Sequence, residues 1–137
     1  QFEILDIALI DMGDFAGGML KYLRTHPVSR LTIAGGFAKL TKLAQGNMDL
    51  HSGRSSINFI RLAETLKSAG GNWEEIKAAR QANTAMAVLE IATRSRLPLA
   101  DLIAAGARET ARAILSGDTK IEIVIFNRQG CKVGHAT

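Results

Sequence analysis

Two short apolar runs, Ile4 to Ile10 and Arg30 to Ala34, bracket one helix-patterned stretch, and this order within about 30 residues restricts the fold more than any other feature. It is the pattern of a βαβ unit. Ile4 to Ile10 is broken only by Asp6, as in a strand buried on both faces of a parallel sheet. Asp14 is placed to cap the helix, in which Phe15, Met19, Tyr22 and Leu23 recur at helical spacing before His26-Pro27 ends it. A right-handed crossover then brings Gly13-Asp14 and Gly35-Gly36 to the same carboxyl edge of the sheet.

The second of these edges opens the stretch richest in chemistry, Leu31 to Ser56. Gly35-Gly36 lets the backbone turn sharply and lets a ligand come close. The free amides and positive dipole end of the helix that follows favour an anion. Lys39 and Lys42 are three apart and share one helix face, adding two charges to that field. The helix is expected to end near Gly46, and the loop beyond it carries His51, Ser52, Arg54 and Ser55. The plainer alternative is a tight strand-to-helix turn followed by two solvated lysines. The order is neither a P-loop nor a dinucleotide fingerprint, because G-x-x-x-x-G-K-[ST] and G-x-G-x-x-G are both absent.

Further along, Ser55-Ser56 is read as the cap of a helix with Ile57, Ile60, Ala63 and Leu66 inward, stopped at Gly70-Gly71. Asn72 and Glu75 form a capping box for a short helix to about Arg80. Another helix runs from Thr84 to Arg94, burying Ala85, Val88, Leu89 and Ala92. The next starts at Pro98, with Leu99, Leu102, Ile103, Gly106, Thr110 and Ile114 on one stripe, and ends at Gly117. Lys120 to Phe126 alternates as a strand, and Asn127 to Gly130 turns it back onto Cys131 to Val133. The whole predicts an α/β fold: a small, mainly parallel sheet of three to four strands flanked by five to six helices. So few strands suggest that further structure, or a partner on the exposed edge, completes the sheet.

A chain of 137 residues fits one domain, residues 1–137, able to bury about two thirds of its unfolded surface. Hydrophobic residues at 47% and charged residues at 22% are ordinary for a soluble globular protein. No apolar run is long enough for a membrane span, and Gln1 to Asp11 lacks a signal-peptide pattern, so a cytoplasmic setting is expected. The start at Gln1 rather than methionine leads to the expectation of a fragment. The net charge of +4 is scattered, with few rings for stacking, which argues against nucleic acid and for a small polyanion near the lysines. The single Cys131 cannot form an internal disulfide and has no neighbours at metal-ligand spacing, so no metal site is expected and it reads as small apolar filler.

Among single residues, His51 has the near-neutral titration that proton transfer needs, although a lone histidine is more often a surface or cap residue. Ser52 lacks a nucleophile elbow and does not indicate a hydrolase. His26 and His135 read as structural bystanders, the latter near a frayed end, and Trp73 as a packing residue. Met12, Met19 and Met48 read as core or gap filler.

The order AGGFAKLTKLAQG followed by DLHS resembles the signature of the cobalt-precorrin-5B C-1 methyltransferase family of cobalamin biosynthesis, with Met12-Gly13-Asp14-Phe15 matching upstream. Many members carry His-x-Gly where this chain has Gly36-Phe37-Ala38, and a histidine at Asn47. Members are more than twice as long, so the chain resembles the C-terminal half of one, the later part of a longer two-domain enzyme. The resemblance implies S-adenosylmethionine-dependent methylation of C-1 of cobalt-precorrin-5B to cobalt-precorrin-6A, with cobalt only as part of the substrate. It implies that Gly13, Gly35, Gly36, Lys39, Lys42, Ser52 and Arg54 bind the polycarboxylate tetrapyrrole, with His51, or alternatively Asp14, relaying a proton. Its partners would be its own N-terminal half and, as an open option, a second copy, with no membrane or nucleic acid; alone the fragment is expected to be inactive. The alternative is a non-catalytic anion- or tetrapyrrole-binding module.

Overall fold

The computed structural model describes residues 6–8, 16–47 and 56–137. A four-stranded sheet of order β1-β2-β3-β4 is built from β1 (Asp6–Ala8), β2 (Arg30–Gly36), β3 (Lys120–Phe126) and β4 (Lys132–Ala136). β1 and β2 are parallel, as are β2 and β3, while β4 returns antiparallel to β3. Six helices accompany it: α1 (Ala16–Thr25), α2 (Phe37–Ala44), α3 (Phe59–Ser68), α4 (Trp73–Arg80), α5 (Ala85–Arg94) and α6 (Leu99–Leu115). The mainly parallel α/β architecture expected from the sequence is thus present.

The β1-α1-β2 unit forms as its spacing predicts, although Gly13, Asp14 and the flanks of β1 lie outside the described residues. In α1 the buried positions are Leu20 and Leu23; Tyr22, which recurs at helical spacing with Leu23, is 57% exposed and stacks on the His26 ring at 4.2 Å. β2 runs two residues beyond Ala34, pairing Gly35 with Ile125 and Gly36 with Phe126. There is no separate glycine loop, because Gly36 at φ −77° and ψ 162° ends the strand and begins α2. That helix stops at Gln45, and Gly46 takes φ 88°, which glycine adopts without strain.

Asn58, rather than Ser55-Ser56, caps α3: its side chain accepts from the Arg61 N–H at 3.0 Å. The inward residues are Leu62, Ala63 and Leu66, and Ile60 faces out at 62% exposure. The Asn72–Glu75 capping box forms in full, each residue bonding the other's backbone N–H at 2.8 Å. Trp73 beside it is 73% exposed, contrary to its reading as a packing residue. α5 buries the four residues expected of it, with Thr84 as cap.

The stripe of α6 is offset from the expected one, with Leu99, Ala100, Ile103, Ala104, Ala107, Ala111 and Leu115 buried while Leu102 is exposed. Small residues serve here because the helix approaches its neighbours closely. A methyl group on Gly106 would come within 3.2 Å of the Ala44 Cβ on α2, and one on Gly134 would meet the Ala100 carbonyl oxygen at 2.6 Å. Ile121, Ile123 and Ile125 of β3 are buried against this layer, and the core continues through Leu31, Ile33, Phe37, Leu62, Leu66 and Val88. The hairpin turn is held by the Asn127 Oδ1, which accepts from the N–H groups of Gln129 and Cys131 at 2.9 Å each. Cys131 itself is exposed, not core filler.

Candidate functional site at the carboxyl edge of the sheet

Gly36 closes β2 opposite Phe126, so the amino end of α2 stands at the carboxyl edge of two adjacent parallel strands. In open α/β sheets this edge is where ligands bind. The first N–H groups of a helix have no partner within it, and Gly36 supplies no side-chain cap. A methyl group built on Gly36 meets nothing within 4 Å, and its φ of −77° suits any residue. Neither backbone conformation nor packing therefore requires glycine here. Its smallness leaves open space in front of the amino end of the helix and the positive end of its dipole, which is what an anion such as a carboxylate needs.

Lys39 lies in the first turn and is half-buried. At 1.5 Å per residue it is about 4.5 Å along the axis from Gly36, whereas Lys42 is about 9 Å away in the last turn. The two share a helix side, as their spacing predicts, but differ in setting: Lys42 is only 8% exposed and has no hydrogen-bond or ion-pair partner among the described residues. Its stem is therefore buried, and since no buried side-chain nitrogen among the described residues lacks a partner, its ammonium reaches solvent. Thr41 between them returns its hydroxyl to the Phe37 carbonyl at 2.7 Å.

His51, Ser52, Arg54, Gly13 and Asp14 lie outside the described residues. The two ends of the 48–55 segment are described, however, and they meet beyond the carboxyl end of α2. The Asn47 Nδ2 donates to the Ser56 carbonyl at 3.4 Å, and the Gln45 side chain both donates to and accepts from the Asn58 backbone, at 3.0 and 2.8 Å. The Arg61 guanidinium closes the clip on the Gln45 carbonyl at 3.1 Å. The roots of that loop therefore stand about 12 Å from Gly36, one helix length away.

A cleft of about 660 Å3 opens between α5 and the hairpin turn, next to Asn127 at the end of β3, and is walled by Met86, Glu90, Arg94 and Arg128 among others. It lies at the carboxyl edge and adds two guanidinium groups there. Nothing in the spacing of Arg94 and Arg128 marks them, since the fold alone brings them together. A larger cleft of about 810 Å3 lies at the opposite, amino edge, between the α1–β2 and α6–β3 connections. The carboxyl edge is preferred because the uncapped helix start is there.

One titratable cluster has no counterpart in the sequence reading. The His135 Nε2 lies 2.7 Å from the Glu122 Oε2, and the Thr32 hydroxyl donates to the other carboxylate oxygen at 3.1 Å. The hydrogen bond to His135 is the chief reason that the Glu122 carboxyl titrates below its ordinary value; partial burial opposes it, and Thr32 and the Arg30 charge assist. His135, read as a bystander near a frayed end, is thus a fixed member of β4.

Among the described residues no helix is long and apolar enough to cross a membrane. The family description "CbiD, C-terminal domain" matches residues 49–137. The chain is 54% identical over 127 residues to the cobalt-precorrin-5B C(1)-methyltransferase of Methylorubrum extorquens, a span covering 92% of this chain and 35% of that protein. It is 52% identical over 134 residues to the protein of the same name from a Bradyrhizobium species, covering 97% and 36%. A third, from Paramagnetospirillum magneticum, is 52% identical over 130 residues, covering 94% and 36%. The chain thus spans about a third of the length of these curated relatives. No solved structure matches it. With more than half of its residues inside the matched domain, and half identical to these relatives, the chain belongs to the CbiD C-terminal-domain family, that of the cobalt-precorrin-5B C(1)-methyltransferases.

Proposed function

We propose that this chain is part of an S-adenosylmethionine-dependent methyltransferase that converts cobalt-precorrin-5B to cobalt-precorrin-6A by methylating C-1. The observation that carries the reading is the 52% identity, over 134 of its 137 residues, to a relative of that name. A cytoplasmic setting and a longer protein, of which residues 1–137 form one α/β domain, belong to the same proposal.

The sulfonium donor supplies a methyl group that is already activated. What this chain contributes is binding and orientation. The macrocycle is a flat ring with peripheral acetate and propionate carboxylates. One carboxylate would sit at the amino end of α2, in the space that Gly36 leaves and with Gly35 behind it, drawn by the positive end of the helix dipole. Lys39 would pair with a second, and Lys42, Ser52, Arg54 and the Gly13 backbone complete the set. Holding the ring edge in this way places C-1 in line with the methyl group. As the C–S bond breaks and the new C–C bond forms, the proton that the ring loses would pass to His51, with Asp14 the alternative acceptor.

A second reading, an anion- or tetrapyrrole-binding part without turnover of its own, is favoured by the 35% share of the relatives' length that the chain spans. Both are tested by incubating the full-length protein, and separately this chain, with donor and cobalt-precorrin-5B. Product from the full-length protein alone is the expected result. His51→Gln is expected to lower turnover and remove one limb of its pH profile; an unchanged profile rejects the relay.

A further inference from the structure

The described helices pack on one face of the sheet. α6 rests against β3 and β4 and also against α1 and α2, so these helices form a single layer over Leu31, Ile33, Ile121, Ile123 and Ile125. On the other face Ala34 is buried, but Thr32, Glu122, Val124 and Phe126 stay only half-buried, and Glu122 and His135 keep 35% and 36% of their side chains exposed. Parallel strands are ordinarily covered on both faces, and Val124 and Phe126 are apolar where a solvated face would be charged.

The polar groups on this face are already suited to burial. Both Glu122 oxygens have donors, and no buried side-chain nitrogen or oxygen among the described residues lacks a partner. The free edge of β4, by contrast, is closed to another strand. The His135 N–H, which β3 does not use, donates to Asp101 Oδ1 at 3.0 Å, and the first turn of α6 lies against Gly134. A partner must therefore lie across the face, not along that edge.

We propose that this second face of the sheet docks the part of the whole protein that lies outside this chain. An apolar layer would lie over Val124 and Phe126, sealing the Thr32–Glu122–His135 cluster beneath it. The occupant is identified by length: relatives matched over 92–97% of this chain extend it nearly threefold, since the match is only 35–36% of their own length. The inference rests on that length and on the layering of the sheet, not on the methyl-transfer reading, and its test reads labelling instead of turnover.

The experiment uses the full-length protein in a cysteine-free background that includes Cys131→Ser, with single cysteines introduced by Val124→Cys, Thr32→Cys and, as the exposed reference on α3, Ile60→Cys. Reaction with a small maleimide is timed at several protein concentrations. Docking predicts that the thiols at 124 and 32 react more than about thirtyfold slower than that at 60 at every concentration. Either reacting within that factor overturns the proposal. Protection lost on dilution assigns the face to a second copy and also overturns it. Two positions are used so that one reads the face if the other variant fails to fold.

Discussion

His135 on β4 and Glu122 on β3 are joined by a 2.7 Å hydrogen bond that, with the Asp101 carboxylate on the His135 N–H, pins the last strand at both its side chain and its backbone. Because the Glu122 carboxyl is held below its ordinary value of 4.5, the bond stabilises the fold above that pH and is lost as the pH falls through the lower folded value. Thermal unfolding from pH 6 to pH 3 is expected to show a smaller loss of Tm in Glu122→Gln than in the parent. Parallel curves would show that the pair contributes nothing to acid stability. The half-exposed setting keeps the effect modest.

Two glycines at strand positions should respond differently to the same change. Gly134→Ala drives a methyl group onto the Ala100 carbonyl, backbone against backbone, and should cost at least about 2 kcal/mol. That corresponds to a fall in Tm of roughly 6–10 °C. Gly36→Ala meets open space at an ordinary φ and should leave Tm unchanged while weakening ligand binding. Calorimetry of both variants checks the pair.

Asn72→Ala removes the acceptor for the Glu75 N–H and half of the capping box, at a cost of about 1 kcal/mol read by urea titration. Ser95, whose hydroxyl also bonds Glu75 and is the main cause of its lowered pKa, ties this cap to the end of α5. Ser95→Ala should therefore weaken the packing of α4 on α5 in the same titration, and an unaltered midpoint would refute the tie.

Lys42→Met keeps the buried stem and removes a charge that has no partner among the described residues. Stability is expected to be retained or raised, because the buried stem keeps its packing and the ammonium that reaches solvent makes no bond that methionine would lose. A clear fall in Tm would mean that the ammonium is satisfied within the fold and is not held for a ligand.

Much of the fold was legible because its signals are local. The Ile121, Ile123, Ile125 alternation, the Asn72–Glu75 box, the four inward residues of α5 and the βαβ spacing each lie within one element and its neighbours. What escaped depends on distant contacts. His135 gains its role from Glu122 and Asp101, 13 and 34 residues away. The alanine stripe of α6 follows from close approaches at Gly106 and Gly134, which an apolar pattern weighted to large side chains does not reveal. The cap of α3 moved to Asn58 because Gln45 holds that residue's backbone. At the candidate site, the Gly35-Gly36 edge and Lys39 were readable, whereas the near-complete burial of Lys42 and the nearby Arg94 and Arg128 were not.

If the full-length protein methylates cobalt-precorrin-5B with a substrate carboxylate held at the amino end of α2, a carboxylate built into that place should compete with the substrate. Steady-state kinetics of that protein and its Gly36→Asp variant tests it most directly, since the new carboxylate caps the helix and occupies the anion's place. Methylated product is expected from the parent and, in the folded variant, a KM for the macrocycle raised by about tenfold or more. No product from the parent, or an unchanged KM in the variant, would contradict it.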